Sequence, residues 1–266
     1  MRLVLMGAVL ALGACSVKED EPTAAASESA YAAQSTAAVV TQAPVAARDV
    51  HEQNELYQFD YSYPASAGAI PALKALLDAE LEKARGELKV EATEGQNLAK
   101  KNGFPFNPYS YSVEWKVVTD LPAWLSMSTL IGTFSGGAHP NYVFDAMLWD
   151  RVAGQRRAPA DLFVSKAALS EAIRAPFCKE LDRQRAKKRG GQDGGQIEEF
   201  SKCIDPVEET VILGSSTGKA FDRIGILVAP YSAGPYAEGD YEVTVPVTPK
   251  VLAAVKPQFK PAFVAQ

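Results

Sequence analysis

The chain has 266 residues, 47% of them apolar or aromatic and 22% charged, which is enough to build a sizeable core and too apolar for wholesale disorder. Lys and Arg number 27 against 32 Asp and Glu, a net charge of −5 that excludes a general nucleic-acid binder, since such proteins carry a basic excess. Only two histidines occur, His51 and His139, and they stand far apart, so a His-rich metal site is excluded and no metal or other cofactor is expected.

Residues 1–14 begin with Met1 and Arg2 and run through apolar and small residues to Leu12-Gly13-Ala14, just ahead of Cys15. One early positive charge, a short apolar stretch and small residues at the cut site describe a secretory signal. The stretch is too short to span a bilayer, which takes about 20 apolar residues. Leu-Gly-Ala-Cys resembles the bacterial lipobox, in which the Cys is acylated and becomes the mature N-terminus, so Cys15 is the expected lipid attachment. Acyl chains contribute about 0.8 kcal/mol per buried methylene, so several would hold the protein on a membrane. Ser16 follows where an Asp would signal inner-membrane retention, and by the same resemblance the outer membrane is favoured.

Residues 15–50 are rich in Ala, Ser, Thr, Glu and Pro and poor in large apolar residues, the composition of a flexible tether. Periodic sequence follows. Tyr57, Phe59, Tyr61 and Tyr63 alternate with polar residues, which predicts a strand ending at Pro64. Ile70, Leu73, Leu77, Leu81, Ala84 and Leu88 recur at helical steps, predicting an amphipathic helix that fades near Lys101 and stops at Asn102-Gly103. Tyr109, Tyr111, Val113, Trp115 and Val117 share one face of a second strand, and Trp124 to Phe134 form a third. Ser135-Gly136-Gly137-Ala138-His139-Pro140-Asn141 interrupts before Tyr142 to Trp149 resume as a strand. A second helix carries Leu169, Ile173, Phe177 and Leu181 on one side, with a kink or break expected at Pro176. Strands near 210–213, 221–229 and 241–247 and a short helix from Pro249 complete the chain. The pattern predicts an α+β fold, a mostly antiparallel sheet packed with two main helices. The expected organisation is a signal peptide over 1–14, a tether over 15–50, a strand–helix–strand module over 51–135 and a C-terminal module over 136–266.

Three motifs invite a chemical reading. Gly214-Ser215-Ser216-Thr217-Gly218 satisfies G-x-S-x-G, yet the nucleophile elbow needs a helix after it, and here a strand follows. A Ser/Gly hairpin turn accounts for it better. Its continuation into Lys219 falls short of a P-loop, with three residues between the glycines and Ala220 in place of the hydroxyl. Arg183 to Arg189 holds five cations and reads as a solvated helix end, where cations favour the dipole. Cys178 and Cys203, the two cysteines left after Cys15, form an even pair in an oxidising compartment and predict a disulfide closing a loop worth about 3 kcal/mol.

The Gly-Gly-Ala-His-Pro-Asn segment is the most informative. Paired glycines let the backbone turn sharply, and His139 with Asn141 could be a recognition pair or structural hydrogen-bonders in a strand crossover. Downstream, Ala229-Pro230-Tyr231-Ser232-Ala233-Gly234-Pro235-Tyr236-Ala237-Glu238-Gly239 places two tyrosines among Pro and Gly. Together with Asp161-Leu162-Phe163 and a Val-Pro-Val exit, these residues resemble the extracytoplasmic domain of unknown function shared by the lysozyme-sensing anti-sigma factor ectodomain and many bacterial lipoproteins. Residues 55–135 resemble the companion module ahead of some peptidoglycan deacetylase domains. The deacetylase zinc domain and the sigma-binding and transmembrane segments lie outside the resemblance, so neither named activity carries over whole.

The expectation is a lipid-anchored envelope protein that binds a partner and carries out no reaction. The resemblance implies a lysozyme-like protein or peptidoglycan as that partner. The binding residues would be Tyr231 and Tyr236, with His139 and Asn141. Anchors of this kind stand exposed, whereas tyrosines that merely close the loop lie buried. The alternatives are a cell-wall hydrolase in which folding brings Asp145 or Glu238 to His139 as its orienting carboxylate, and an envelope scaffold.

Overall fold

Alternation of aromatic and polar residues makes Tyr57–Tyr63 a strand (β2) with one wholly buried face, and a preceding strand, Arg48–Gln53 (β1), pairs antiparallel along its outer edge. These coordinates are a computed structural model that describes residues 47–191 and 198–266. The expected signal peptide, the lipid attachment at Cys15, most of the tether and residues 192–197 lie outside the described residues. The expected tether nevertheless ends earlier than its composition implied, because Arg48, Asp49 and Val50 are already strand. β1 is an edge strand of charged and polar residues, which buries too little to show periodicity.

A short helical turn, Ala65–Gly68 (α1), leads into the long helix Pro71–Asn102 (α2). Pro71 sits at its first position, where a missing N–H costs nothing, and Gly103 ends it in the left-handed conformation at φ 70°. The helix carries the chain back so that Tyr109–Glu114 (β3) pairs parallel with β2, a connection that requires such a crossover. Lys116–Leu121 (β4) follows after a break at Trp115, so the single strand expected over 109–117 is two. Trp115 turns its indole inward, donating Nε1–H to the Tyr61 hydroxyl at 3.3 Å. Trp124–Phe134 (β5) pairs with both β3 and β4 on one edge and with Asn141–Asp150 (β6) on the other, and Gln155–Arg157 (β7) closes a seven-stranded sheet.

The second helix, Lys166–Lys188 (α3), begins at Ser165, whose side chain accepts from Ala168 N. Pro176 leaves it unbroken, contrary to expectation. Ile173 and Phe177 are fully buried on either side and Cys178 is bonded to Cys203, so packing overrides a penalty of about 3 kcal/mol. The disulfide holds Cα atoms 5.5 Å apart. Thr210–Gly214 (β8), Arg223–Val228 (β9) and Tyr241–Pro246 (β10) form an antiparallel three-stranded sheet in the order β10–β9–β8. Pro249–Ala254 (α4) follows, capped by Thr248. The fold is therefore α+β, with mostly antiparallel sheets and two main helices.

The period of two along β5 and β6 divides the core. Leu125, Met127, Met147 and Trp149 face α2 and join Phe59, Tyr61, Leu73, Leu77 and Leu81 in one apolar cluster. Trp124 and Leu148, on the opposite face, join Phe177, Leu213, Ile226 and Val243 in a second. β8 lies against β4, β5 and β6 on that side, and α3 packs on β10.

Candidate functional site

The loop between β5 and β6, from Ser135 to Pro140, turns on Gly136 and Gly137 at φ 91° and 97°, and beside it lies the loop between β9 and β10. Three of the four expected binding residues meet there. The His139 and Tyr236 rings stack with centroids 4.0 Å apart, and Tyr231 leans on Tyr236 at 5.6 Å. The Tyr236 hydroxyl donates to the Pro140 carbonyl at 2.7 Å. His139 Nδ1 lies 2.8 Å from the same oxygen, which can only accept, so Nδ1 carries hydrogen. In the neutral ring Nε2 then accepts from the Tyr231 hydroxyl, 3.4 Å away.

The fourth residue does not join them. Asn141 starts β6 with its side chain exposed, its Oδ1 accepting from Tyr142 N at 3.0 Å. Tyr142 takes the place expected of it, edge-on to Tyr236 at 6.5 Å, with its hydroxyl donating to Asp240 at 2.7 Å. Burial, reinforced by that carboxylate, pushes the Tyr142 hydroxyl up to about 12.

Tyr231 and Tyr236 differ in kind. Tyr236 is partly buried and holds the two loops together, whereas Tyr231 is 51% exposed. Among the described residues Tyr231 alone, apart from glycines, has a left-handed backbone, at φ 73°. That conformation costs a bulky L-residue about 1–2 kcal/mol. Its backbone N–H bonds to Gly234 O at 3.1 Å, closing a tight turn.

The turn is held from beneath by the helix end that was expected to be solvated. Arg185 is 97% buried, being 3% exposed, and gives Nε–H to Ala233 O at 3.0 Å. Lys188 donates to Glu238 O at 2.7 Å and to Asp240 O, and its ammonium sits 4.1 Å from the centre of the Tyr241 ring. Arg189 pairs with Glu238 at 2.9 Å, and Tyr241 donates to the same carboxylate. Burial pushes the Glu238 carboxyl up, but Arg189 and Tyr241 more than offset it and hold it below its ordinary range. A side chain at Gly234 would push against the Glu238 carboxylate and displace it from Arg189 and Tyr241. Arg183, by contrast, is exposed and among the described residues binds only Glu180, one turn away, as a solvated cation does.

The arrangement corrects the hydrolase alternative. Asp145 binds Arg156 at 3.0 Å on the α2 face of the sheet, and Glu238 is committed to Arg189 and Tyr241. Neither carboxylate orients His139. The G-x-S-x-G segment is a hairpin loop joining β8 to β9, in which Ser216 N donates to Asp222 at 2.9 Å and its hydroxyl bonds the same side chain. No group of three or more His, Cys, Asp or Glu among the described residues is placed to hold a metal ion. No helix among them is long and apolar enough to cross a membrane.

Residues 50–142 match the family model described as deacetylase PdaC. No curated protein matches the chain. Among solved structures, a member of the DUF3298 family from Bacteroides fragilis superposes with a TM-score of 0.50 at 17% identity, covering 76% of this chain and 89% of that one. A DUF3298 family protein from Pseudomonas aeruginosa PAO1 gives a TM-score of 0.49 at 18% identity, over 84% of this chain and 99% of that one. The first of these likenesses extends to the fold.

Proposed function

We propose that the chain is a lipid-anchored protein of the bacterial envelope that binds a lysozyme-like protein through the surface formed by His139, Tyr231 and Tyr236, with Asn141 at its margin. The observation that carries this reading is Tyr231, a large aromatic held half-exposed in a strained backbone conformation at the head of a ring stack. Strain of this kind persists where the surroundings over-determine it and gathers at ligand clamps. Rigid, exposed tyrosines are the anchors enriched at interface hot spots. A net charge of −5 favours encounter with a basic partner, though mildly for a chain of this size. The anchor at Cys15 and the outer-membrane location belong to the same reading and rest on the Leu-Gly-Ala-Cys junction. The match to a deacetylase family model and the DUF3298-like fold are in keeping with an envelope setting.

The full chain should retain lysozyme in a pull-down, and Tyr231→Ala should abolish retention while leaving the melting temperature nearly unchanged. Retention of insoluble peptidoglycan but not lysozyme would replace the partner. Retention of neither, or retention indifferent to Tyr231→Ala, would remove the reading. Unchanged membrane fractionation of Cys15→Ala, with no mass shift, would remove the anchor.

A further inference from the structure

We propose that the outer edge of β1 pairs with the same edge of a second copy of this chain, in one antiparallel register centred on Val50. The inference concerns the border of the large sheet and does not depend on the reading of the His139 surface. β1 is the last strand of that sheet, and among the described residues no strand lies beyond it. Arg48, Asp49, His51 and Gln53 are exposed, while Val50 and Glu52 are partly covered. The border on the other side, β7, is three residues long and offers no comparable edge. An unpaired edge of the length of β1 is a template for another strand unless its side chains forbid it.

β2 fixes which backbone groups of β1 point outward. Leu56 O accepts from Tyr109 N and Ser62 O from Trp115 N, so the even-numbered residues of β2 turn their peptide groups to β3. Phe59, Tyr61 and Tyr63 turn theirs to β1, where they stand in register with Glu52, Val50 and Arg48. Asp49, His51 and Gln53 therefore direct their N–H and C=O groups away from the sheet. A two-fold axis makes two such edges antiparallel, and bonds form only where outward residues meet outward residues. Every allowed register thus pairs odd positions with odd and even with even.

Charge then selects among these registers. One sets Asp49 against its own copy, and another does the same to Glu52, which places like charges directly opposite. A third sets His51 against itself and Val50 against Glu52. The remaining one sets Val50 against Val50 at the axis, with Arg48 opposite Glu52 and Asp49 opposite His51, each twice by symmetry. It leaves no like charges opposed. Among the described residues the ion pairs of β1 are His51 with Asp60 and Glu52 with Arg85, which leaves Arg48 and Asp49 to the second copy. Glu52 accepts from Arg85 at 2.6 Å on one oxygen and from Tyr57 at 2.8 Å on the other, and each oxygen keeps a lone pair for Arg48 of the copy. Val50 already packs against the cluster beneath α2, so its meeting with Val50 of the copy continues that apolar surface across the axis.

One short strand contact buries less than the roughly 1,200 Å² of a stable complex, so a dissociation constant on the order of 100 µM is expected. The test is analytical sedimentation of the full-length chain bearing Cys15→Ala, so that no acyl chain draws copies together. Across concentrations spanning that value the mean mass should rise from monomer toward dimer. Asp49→Pro removes an outward N–H that the ladder with β2 does not use, so it should abolish the dimer at a nearly unchanged melting temperature. Arg48→Glu opposes like charges twice across the axis and should weaken association about tenfold. Val50→Cys should give a disulfide-linked dimer on oxidation, because the two axial Cα atoms would stand about 4.5 Å apart. Asp49→Cys and His51→Cys should cross-link poorly. A chain that stays monomeric throughout, or a dimer indifferent to Asp49→Pro or to Arg48→Glu, would overturn the edge pairing. Faster cross-linking through Asp49→Cys or His51→Cys than through Val50→Cys would overturn the register.

Discussion

The two faces of the seven-stranded sheet are finished differently. On one, a single helix lies across the strands, held by Leu73, Leu77, Leu81 and Leu88 and by surface pairs such as Arg85–Glu52. On the other, a second sheet and α3 close over Trp124 and Leu148, tied by a disulfide, a buried arginine and the Arg189–Glu238 pair. The lightly covered face keeps an open cleft. The heavily tied face can hold a loop in a conformation that would otherwise relax, and Tyr231 sits on that loop. The buried arginine and the Arg189–Glu238 pair lie directly beneath the loop that carries the exposed ring.

The sharpest way to break this contrast lies in neighbouring residues of β6. Met147→Ala and Leu148→Ala remove fully buried side chains, and each should cost about 2–5 kcal/mol in chemical denaturation. Because they point into different clusters, the double variant should be additive to within about 0.5 kcal/mol. Met127→Ala with Met147→Ala, opposed across one face, should depart from additivity. Coupling of the first pair as strong as the second would show that the two clusters are energetically one.

Replacing Cys178 and Cys203 together by Ser should cost about 3 kcal/mol. Hydrogen exchange should then speed up in α3 and the β9–β10 loop and stay slow in α2. Uniform acceleration would contradict the division.

A smaller effect concerns acid. Glu238 has a folded-state pKa below its ordinary value of 4.5, so its stabilisation is fully present above that value and is lost as pH falls through the depressed one. Acidification below about 4.5 should loosen the tyrosine loop, seen as broadened Tyr231 and Tyr236 resonances. Glu238→Gln should cost about 1–3 kcal/mol at neutral pH and remove the acid dependence. A persistent acid transition in that variant would place the titration elsewhere.

The smallest change is Tyr231→Gly. Glycine adopts φ 73° freely, so stability should hold or rise by up to about 1 kcal/mol while partner binding falls. A clear loss of stability would instead make Tyr231 a packing residue.

Much of this was legible in the sequence where burial is one-sided. The alternation from Tyr57 to Tyr63 and the leucine steps of α2 each mark a single apolar face and produced the expected elements. β1 carried no such signal, since an edge strand of Arg, Asp, His, Glu and Gln has Val50 alone as an apolar residue to bury. Gly and Pro marked the two loops that carry His139 and Tyr236, but the meeting of the two rings depends on strand order that composition does not encode. The clamp was illegible for a different reason. Arg183 and Arg185 are chemically alike in a run of cations, and their fates separate only because Arg185 faces Ala233, a residue far along the chain.

The family-model match stops at residue 142, and the boundary expected between modules fell at 135, both at the hairpin that joins β5 to β6. Yet Met147 and Trp149, beyond either point, complete the cluster beneath α2, and Leu148 between them belongs to the other one. A segment ending at 142 would expose Leu125 and Met127 along an unpaired strand edge, the template for intermolecular association. Inheritance is constrained in the same way. A recombination event that exchanged either half at this point would keep the ten-residue ladder but set foreign side chains against each other across it, Met127 against Met147 among them.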